Sequence, residues 1–288
     1  MKRRYKVVDA FSARPLLGNP VAVVLDAEGL DGDQMQAIAR WTNLSETTFV
    51  LPPTDGADYR LRIFTPGSEL PFAGHPTLGS AHAVIEAGQV TPKAGKLVQA
   101  CGVGLVEITV QGEGAERELA LTLPPAQITP LDDADIDEME AVLGRRVLRA
   151  PAPAVMNVGA IWAVAQLADI DTLTALTPDF GRSAALERRL GITGLSLFAV
   201  DASGRDIETR SFAPSCGVNE DPVCGSGNGS IAVFRRQVGQ LAQAGWSYSA
   251  QQGRCVGRDG VVRLSADAAG VLRVGGQCVT TANGTLEL

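Results

Sequence analysis

The sequence has few of the residues that build metal sites or disulfide frameworks. It contains two histidines, His75 and His82, and no pair among its five cysteines has C-x-x-C spacing. So few clustered ligands argue against a structural zinc site. An odd number of widely spaced cysteines indicates reduced thiols. We therefore expect neither a bound metal nor a disulfide among Cys101, Cys216, Cys224, Cys255 and Cys278.

Long apolar runs and an excess of positive charge are also missing. No apolar stretch approaches the roughly 20 residues that a membrane-spanning helix needs. The basic start, Met1 to Lys6, is typical of a signal peptide, but Asp9 interrupts the apolar run that should follow. The formal net charge of −7 argues against a nucleic-acid partner. These absences predict a cytoplasmic protein that binds neither membranes nor nucleic acids.

The most informative feature present is an internal repeat. Two short extended segments closed by proline, Arg62–Pro66 and Arg210–Pro214, share an R-x-F-x-P pattern. Each leads to a glycine-rich turn, Ala73–Ser80 in the first half and Val223–Ser230 in the second. The residues after each turn are apolar all round, which is typical of a buried helix. Internal similarity of this kind predicts two halves with related folds.

The segments around these turns also correspond. Each half begins with a strand, a helix and a strand, and Asp31 and Ser183 stand where the helix N-caps belong. The predicted order is 18–25, 31–41 and 46–51 in the first half, and 159–166, 183–190 and 195–200 in the second. Further strands follow each buried helix, at 103–110, 119–123, 261–264 and 271–274.

The pattern predicts an α+β protein of two pseudo-symmetric domains. Each domain is expected to be a curled, mostly antiparallel sheet around one central helix. The first domain is predicted over residues 1–118 and the second over 119–279, with a C-terminal strand near 280–288 returning to the first. Matching turns of duplicated halves are expected to face a shared cleft, and clefts between domains are preferred ligand sites.

Each glycine-rich turn forms the N-terminus of a buried helix, and this position suggests the substrate class. A helix N-terminus offers unpaired N–H groups and partial positive charge, so two of them in one cleft would hold a carboxylate. The second turn, Gly225–Gly229, does not have G-x-G-x-x-G spacing, which argues against a dinucleotide site. The sequence thus favours a small carboxylic acid as the substrate.

Four polar residues near these turns or in matching segments are candidates for the chemistry. Glu46 begins an otherwise apolar strand, where partial desolvation would raise its pKa toward the range useful for proton transfer. His75 follows the first turn glycine, Asp221 directly precedes Pro222, and Ser226 lies in the second turn. Each also has a structural alternative. Glu46 could be a strand charge facing water, and His75 a helix-capping or core imidazole. Asp221 could be a turn or cap residue, and Ser226 a helix cap.

Several motifs together resemble a known family. The chain is similar over essentially its whole length to the phenazine biosynthesis-like isomerases, which share a fold with diaminopimelate epimerase. The motifs that carry the resemblance are Val8–Phe11, Gly18–Val21, Leu44–Phe49, Arg62–Pro66, Glu69–Pro76 and Asn219–Gly227. The resemblance implies a homodimer without a cofactor, whose site lies between two domains, and in the phenazine enzyme the reaction is the isomerisation of a dihydro-hydroxyanthranilate.

The resemblance also assigns roles to individual residues. It implies that Glu46 is the acid/base, with His75 and Asp221 beside the substrate as catalytic residues. It further implies substrate contacts from Ser226 and from the backbone of Gly74 and Gly225.

The internal repeat separates the isomerases from the epimerases of this fold. Such epimerases use two thiols, one at each matched turn, and here the matched positions hold Gly74 and Cys224. Because one thiol is missing, a carboxylate must carry the proton, which favours Glu46. Cys224 is either a thiol of lowered pKa at a helix N-terminus or a packing residue. Two alternatives stay open: an epimerase or racemase that uses Glu46 and Cys224, and a non-catalytic small-molecule-binding member.

Overall fold

The computed structural model describes residues 1–204 and 206–288, which form two compact units. Unit 1 comprises Met1–Thr122 and Gly275–Leu288, and unit 2 comprises Leu123–Val274. None of the helices within the described residues combines the length and apolarity that a bilayer span requires.

Strands outnumber helices in both units. The strands are β1 Lys2–Ala10, β2 Asn19–Val24, β3 Glu46–Leu51, β4 Tyr59–Phe64, β5 Glu69–Leu70, β6 Lys96–Cys101, β7 Gly104–Gln111, β8 Glu118–Thr122, β9 Gln127–Pro130, β10 Ala154–Asn157, β11 Ile161–Gln166, β12 Gly194–Val200, β13 Ile207–Ala213, β14 Val218–Asp221, β15 Trp246–Gln252, β16 Gly260–Ala266 and β17 Leu272–Glu287. The helices are α1 Gly32–Thr42, α2 Gly74–Glu86, α3 Asp133–Leu143, α4 Ile170–Thr174, α5 Phe180–Leu190 and α6 Gly225–Gln237.

The sheet of unit 1 closes around α2. Strands β1–β2, β3–β4, β6–β7 and β7–β8 pair antiparallel, while β2–β3 and β4–β6 pair parallel. Strand β17 pairs with both β1 and β8 and completes the ring. Every residue of α2 from His75 to Val84 is buried. A side chain at Gly79 would collide with Val21 of β2, so this glycine lets the helix backbone lie against the sheet.

Unit 2 has a related sheet around α6. Strand pairs β10–β11, β12–β13, β13–β14 and β15–β16 are antiparallel, and β11–β12 and β13–β15 are parallel. Helix α6 packs against β10, β11, β12 and β16. Helices α3, α4 and α5 contribute to a second apolar core that includes Met139, Leu173, Leu186 and Phe212.

The pairing pattern confirms the α+β repeat that the sequence predicted. Strands β1 to β7 recur in order as β10 to β16, with the same parallel and antiparallel senses at each corresponding pair. The phenylalanines of the R-x-F motifs give a reference point for aligning the two units. Phe64 pairs with Thr47, and Phe212 pairs with Leu195. This register aligns individual positions of the two units.

One of the two predicted helix caps is wrong. Asp31 caps α1 as expected, since its Oδ1 accepts from the Gln34 N–H at 2.8 Å and the Gln34 side chain accepts in return. Ser183, however, lies inside the first turn of α5, and Asp179 is the cap. The Ser183 hydroxyl instead donates to buried Glu187 at 2.7 Å.

The two R-x-F motifs form the same ion pair in both units. Arg62 donates two hydrogen bonds to Glu69, at 2.7 and 2.8 Å, and its guanidinium lies 5.0 Å from the centre of the Phe64 ring. Arg210 donates two to Glu220, at 2.9 and 2.7 Å, and lies 4.9 Å from the Phe212 ring. A planar guanidinium suits this combination of a carboxylate fork and an aromatic face.

Candidate active site

The six residues predicted for the site divide equally between the units. Glu46, Gly74 and His75 belong to unit 1, and Asp221, Gly225 and Ser226 belong to unit 2. Each group is described within its own unit.

Unit 1 brings a carboxylate and an imidazole together. Glu46 is the first residue of β3, and His75 is the second residue of α2. The Glu46 Oε2 and His75 Nε2 atoms are 3.2 Å apart, and the two side chains are only 15% and 10% exposed. The start of a buried strand and the start of a buried helix therefore hold the pair at the edge of the unit 1 core.

Burial changes the ionisation of the Glu46 carboxyl group. Desolvation raises the pKa of Glu46, and a hydrogen bond with the Ser45 side chain lowers it by a smaller amount. A carboxyl group whose pKa lies above its ordinary value can both accept and return a proton near neutral pH more readily than an exposed one. The predicted desolvation of Glu46 is confirmed.

Helix α2 begins without a side-chain cap. Its N-cap residue is Ala73, which offers no hydrogen-bond acceptor on its side chain. Gly74 opens the helix, and a Cβ there would meet nothing closer than 3.9 Å, to Leu121 Cδ1. The capping side chain that most helices supply at this position is thus missing at Ala73.

Unit 2 places its three candidates around the start of α6. Asp221 ends β14, and its Oδ1 accepts from the Val223 N–H at 3.0 Å. Gly225 and Ser226 are the first two residues of α6. The Ser226 hydroxyl accepts a hydrogen bond from the indole N–H of Trp162 at 3.0 Å.

Cys224 is the N-cap of α6, and its thiol is not activated. Its Sγ accepts from the Gly227 N–H at 3.2 Å, which favours the thiolate. Burial and the nearby charge of Asp221 outweigh that contact and raise the pKa of Cys224. Of the two alternatives for Cys224, the raised pKa favours the packing residue over the thiol of lowered pKa, because desolvation of the thiolate is the larger effect.

Sequence reasoning missed two residues that organise this turn. The Gln252 amide donates to the Asp221 carbonyl at 2.8 Å, and its Oε1 accepts from the Cys224 N–H at 3.0 Å and from Asn228 at 2.8 Å. Trp162, on β11, holds Ser226. Neither residue is near the turn in sequence, so no local pattern marks them.

The aligned register shows that the carboxylate and imidazole have no counterparts in unit 2. Glu46 aligns with Gly194, since each precedes the residue that pairs with the motif phenylalanine. His75 matches Gly225 in the sequence alignment of the two turns and Ser226 by position in the helix, so no imidazole stands at either match. A side chain at Gly194 would collide with the Phe212 carbonyl, so no carboxylate can occupy that position. The carboxylate and the imidazole are thus each present in only one member of an aligned pair.

The described residues do not assemble a metal site. Across residues 1–204 and 206–288, no group of three or more His, Cys, Asp or Glu side chains is placed to hold a metal ion. Glu46 and His75 are two possible ligands, whereas a typical catalytic zinc site has three protein ligands.

Comparison with known proteins agrees with this fold and these motifs. The family model described as "Phenazine biosynthesis-like protein" matches residues 8–284. The chain belongs to this family. It is 35% identical over 268 residues to the trans-2,3-dihydro-3-hydroxyanthranilate isomerase of Pseudomonas aeruginosa, covering 93% of this chain and 91% of that protein. The relatives in Pseudomonas aeruginosa and Pseudomonas fluorescens are named as isomerases, and this enzyme is an isomerase.

Two further relatives complete the comparison. The chain is 41% identical to antisense-enhancing sequence 1 of Schizosaccharomyces pombe, with 97% of both chains covered. A crystal structure of the Bacillus anthracis phenazine biosynthesis protein of the PhzF family superposes with a TM-score of 0.88 over 100% of both chains, at 22% identity. That likeness establishes the fold.

Proposed function

We propose that this isomerase shifts a proton on a small carboxylic acid without a cofactor, using Glu46 as the acid/base. The observation that carries the proposal is the Glu46–His75 pair, 3.2 Å apart and nearly buried, with the pKa of Glu46 raised. The substrate class we propose is a cyclic, anthranilate-like acid, because a relative at 35% identity acts on trans-2,3-dihydro-3-hydroxyanthranilate.

In the proposed reaction the Glu46 carboxylate removes a proton from an activated ring carbon. The electron pair of the broken C–H bond moves into the conjugated system of the substrate, and Glu46 becomes a neutral carboxylic acid. Glu46 then returns the proton to a different carbon, so that atoms and charge balance without a co-reactant. Holding the substrate rigidly beside the carboxylate supplies much of the rate.

The remaining candidates are assigned supporting roles. His75 and Asp221 would stabilise charge on the polar groups of the substrate. The N–H groups at the starts of α2 and α6, at Gly74 and Gly225, and the Ser226 hydroxyl would bind its carboxylate. The proposal also includes a homodimer in the cytoplasm, as the family resemblance implies.

Conversion of a candidate substrate in D2O tests the proposal. We expect the enzyme to isomerise trans-2,3-dihydro-3-hydroxyanthranilate, or a related dihydro acid, with deuterium appearing at a ring carbon by NMR. Binding of such acids without conversion or deuterium uptake between about pH 5 and 9, a range that spans the useful acid/base window, would favour the non-catalytic alternative.

An epimerase that uses Cys224 as a second base is the other candidate function. Because the pKa of Cys224 is raised, its thiol stays protonated at neutral pH and we expect Cys224→Ala to retain kcat/KM within about threefold of the unmodified enzyme. Cys224→Ser is the matched control, since its hydroxyl keeps an acceptor for the Gly227 N–H. Loss of activity in both variants, with the fold intact by circular dichroism, would support the epimerase.

The pH dependence of kcat/KM reports the ionisation of Glu46. The base must be ionised to accept a proton, so activity falls as the pH drops through the raised pKa of Glu46. We expect the acidic limb to bend above pH 4.5, the ordinary value for glutamate. Ser45→Ala removes the hydrogen bond that lowers this pKa, so the limb should move to still higher pH. A limb that stays in place, or moves down, would contradict the assignment of this limb to Glu46.

A further inference from the structure

Trp162 lies beside Gly194, the unit 2 residue that aligns with Glu46. It pairs with Gly194 across β11 and β12, as Val21 pairs with Glu46 in unit 1. A Cβ at Gly194 would lie 2.8 Å from the Trp162 indole, so glycine makes room for this ring. Only 2% of Trp162 is exposed, and its indole N–H is directed at the Ser226 hydroxyl.

The chemistry of the two groups fixes the direction of their hydrogen bond. An indole N–H can only donate, so the Ser226 oxygen must accept. The proton of the Ser226 hydroxyl is then available for another acceptor. Its neighbour within the unit is Cys224 Sγ, at 3.6 Å, a weak acceptor that already receives the Gly227 N–H. Among the residues that the structure describes, the serine hydroxyl is thus held as a donor without a strong acceptor of its own.

We propose that Trp162 is a positioning residue that holds Ser226 as a hydrogen-bond donor to the carboxylate of the substrate. This inference rests on the proposed function and adds a determinant of substrate class. A hydroxyl held as a donor matches an ionised carboxylate, which can only accept hydrogen bonds. Hydrogen bonds to a charged group are also stronger than those between neutral groups, so fixing the donor favours acids over their esters.

Calorimetric binding of anthranilate tests the coupling between the two residues. Trp162→Phe keeps an aromatic ring beside Gly194 but removes the N–H, and we expect it to weaken anthranilate binding about five- to tenfold. Ser226→Ala should weaken binding at least as much. The double variant should bind no more weakly than Ser226→Ala, because tryptophan acts through the serine. Additive losses in the double variant would overturn the inference.

A matched tryptophan provides the control for the substitution itself. Trp246 also donates its indole N–H, to the Ala242 carbonyl at 2.9 Å, and stacks on Tyr248. Trp246→Phe should therefore leave anthranilate affinity unchanged. Thermal unfolding of each variant checks the fold.

The indole N–H signals in NMR spectra of protein with 15N-labelled tryptophan give a readout that packing alone would not move. Anthranilate should shift the Trp162 signal, and Ser226→Ala should abolish that response, while the signals of Trp41 and Trp246 stay in place. A Trp162 signal indifferent to saturating anthranilate, or the absence of saturable anthranilate binding, would overturn the inference. Failure of the proposed function is seen separately, as a lack of turnover in an enzyme that binds anthranilate and shows the coupling.

Discussion

Replacing Glu46 by glutamine is expected to lower turnover by about a thousandfold, within the range that general acid–base catalysis contributes. The amide has the shape of the carboxyl group but cannot accept the substrate proton. Burial already favours the neutral form of Glu46, so an uncharged side chain fits this environment without the cost of burying a charge. We therefore expect Glu46→Gln to fold with at least the stability of the unmodified enzyme and to bind anthranilate with similar affinity.

The measurement is solvent deuterium exchange into the substrate, followed by NMR alongside product formation. Glu69→Gln is the matched control, because Glu69 is also a unit 1 glutamate but bonds Arg62 at an exposed position. It should exchange deuterium at the unmodified rate. Exchange by Glu46→Gln at that same rate would refute the assignment of Glu46, whatever the effect on overall conversion.

The sequence predicted the repeat because its signals are local. An R-x-F-x-P segment and a glycine-rich turn are each a few residues long, and both recur in the same order. The strand register is not local, since it depends on which residues meet across neighbouring strands. Only the structure aligns Glu46 with Gly194 and so shows that the two units differ at this position.

The candidate site was predictable to a similar extent. Glu46 stood out because a charge begins an apolar strand, and His75 because it follows a turn glycine, but their contact required the fold. Trp162 and Ser226 are 64 residues apart in sequence, and nothing near Trp162 marks it as other than a core residue of a strand. A side chain that acts through another residue is not marked by a sequence motif.

The second large expected effect is on stability, and it comes from replacing Arg210 of the repeated ion pair. We expect Arg210→Met to lower the free energy of unfolding by about 3–5 kcal/mol, the cost of breaking a buried pair by removing one partner. Arg210 and Glu220 have side chains only 7% and 8% exposed. The guanidinium also donates to the carbonyls of Leu173 at 3.1 Å and Leu176 at 2.8 Å. Its loss leaves a buried carboxylate and two carbonyls without these donors.

The equivalent change in unit 1 is the matched control. Arg62 makes the same two bonds to Glu69 and the same contact with a phenylalanine ring, but the Glu69 side chain is 42% exposed. Water can replace the lost partner there, so Arg62→Met should lower the free energy of unfolding by no more than about 1 kcal/mol. Urea unfolding followed by circular dichroism measures both. Equal losses would show that the pair geometry, rather than burial, sets the stabilisation.

Removing both partners in unit 2 separates the two contributions. If the loss in Arg210→Met arises mainly from the stranded Glu220 charge, then Arg210→Met combined with Glu220→Gln should recover a large part of it, because the uncharged amide costs less to bury. The carbonyls of Leu173 and Leu176 lack the guanidinium donor in both variants, so recovery should be incomplete. A double variant no more stable than Arg210→Met would place the loss in those carbonyl contacts instead, which anchor the chain after α4 and have no counterpart among the hydrogen bonds of Arg62.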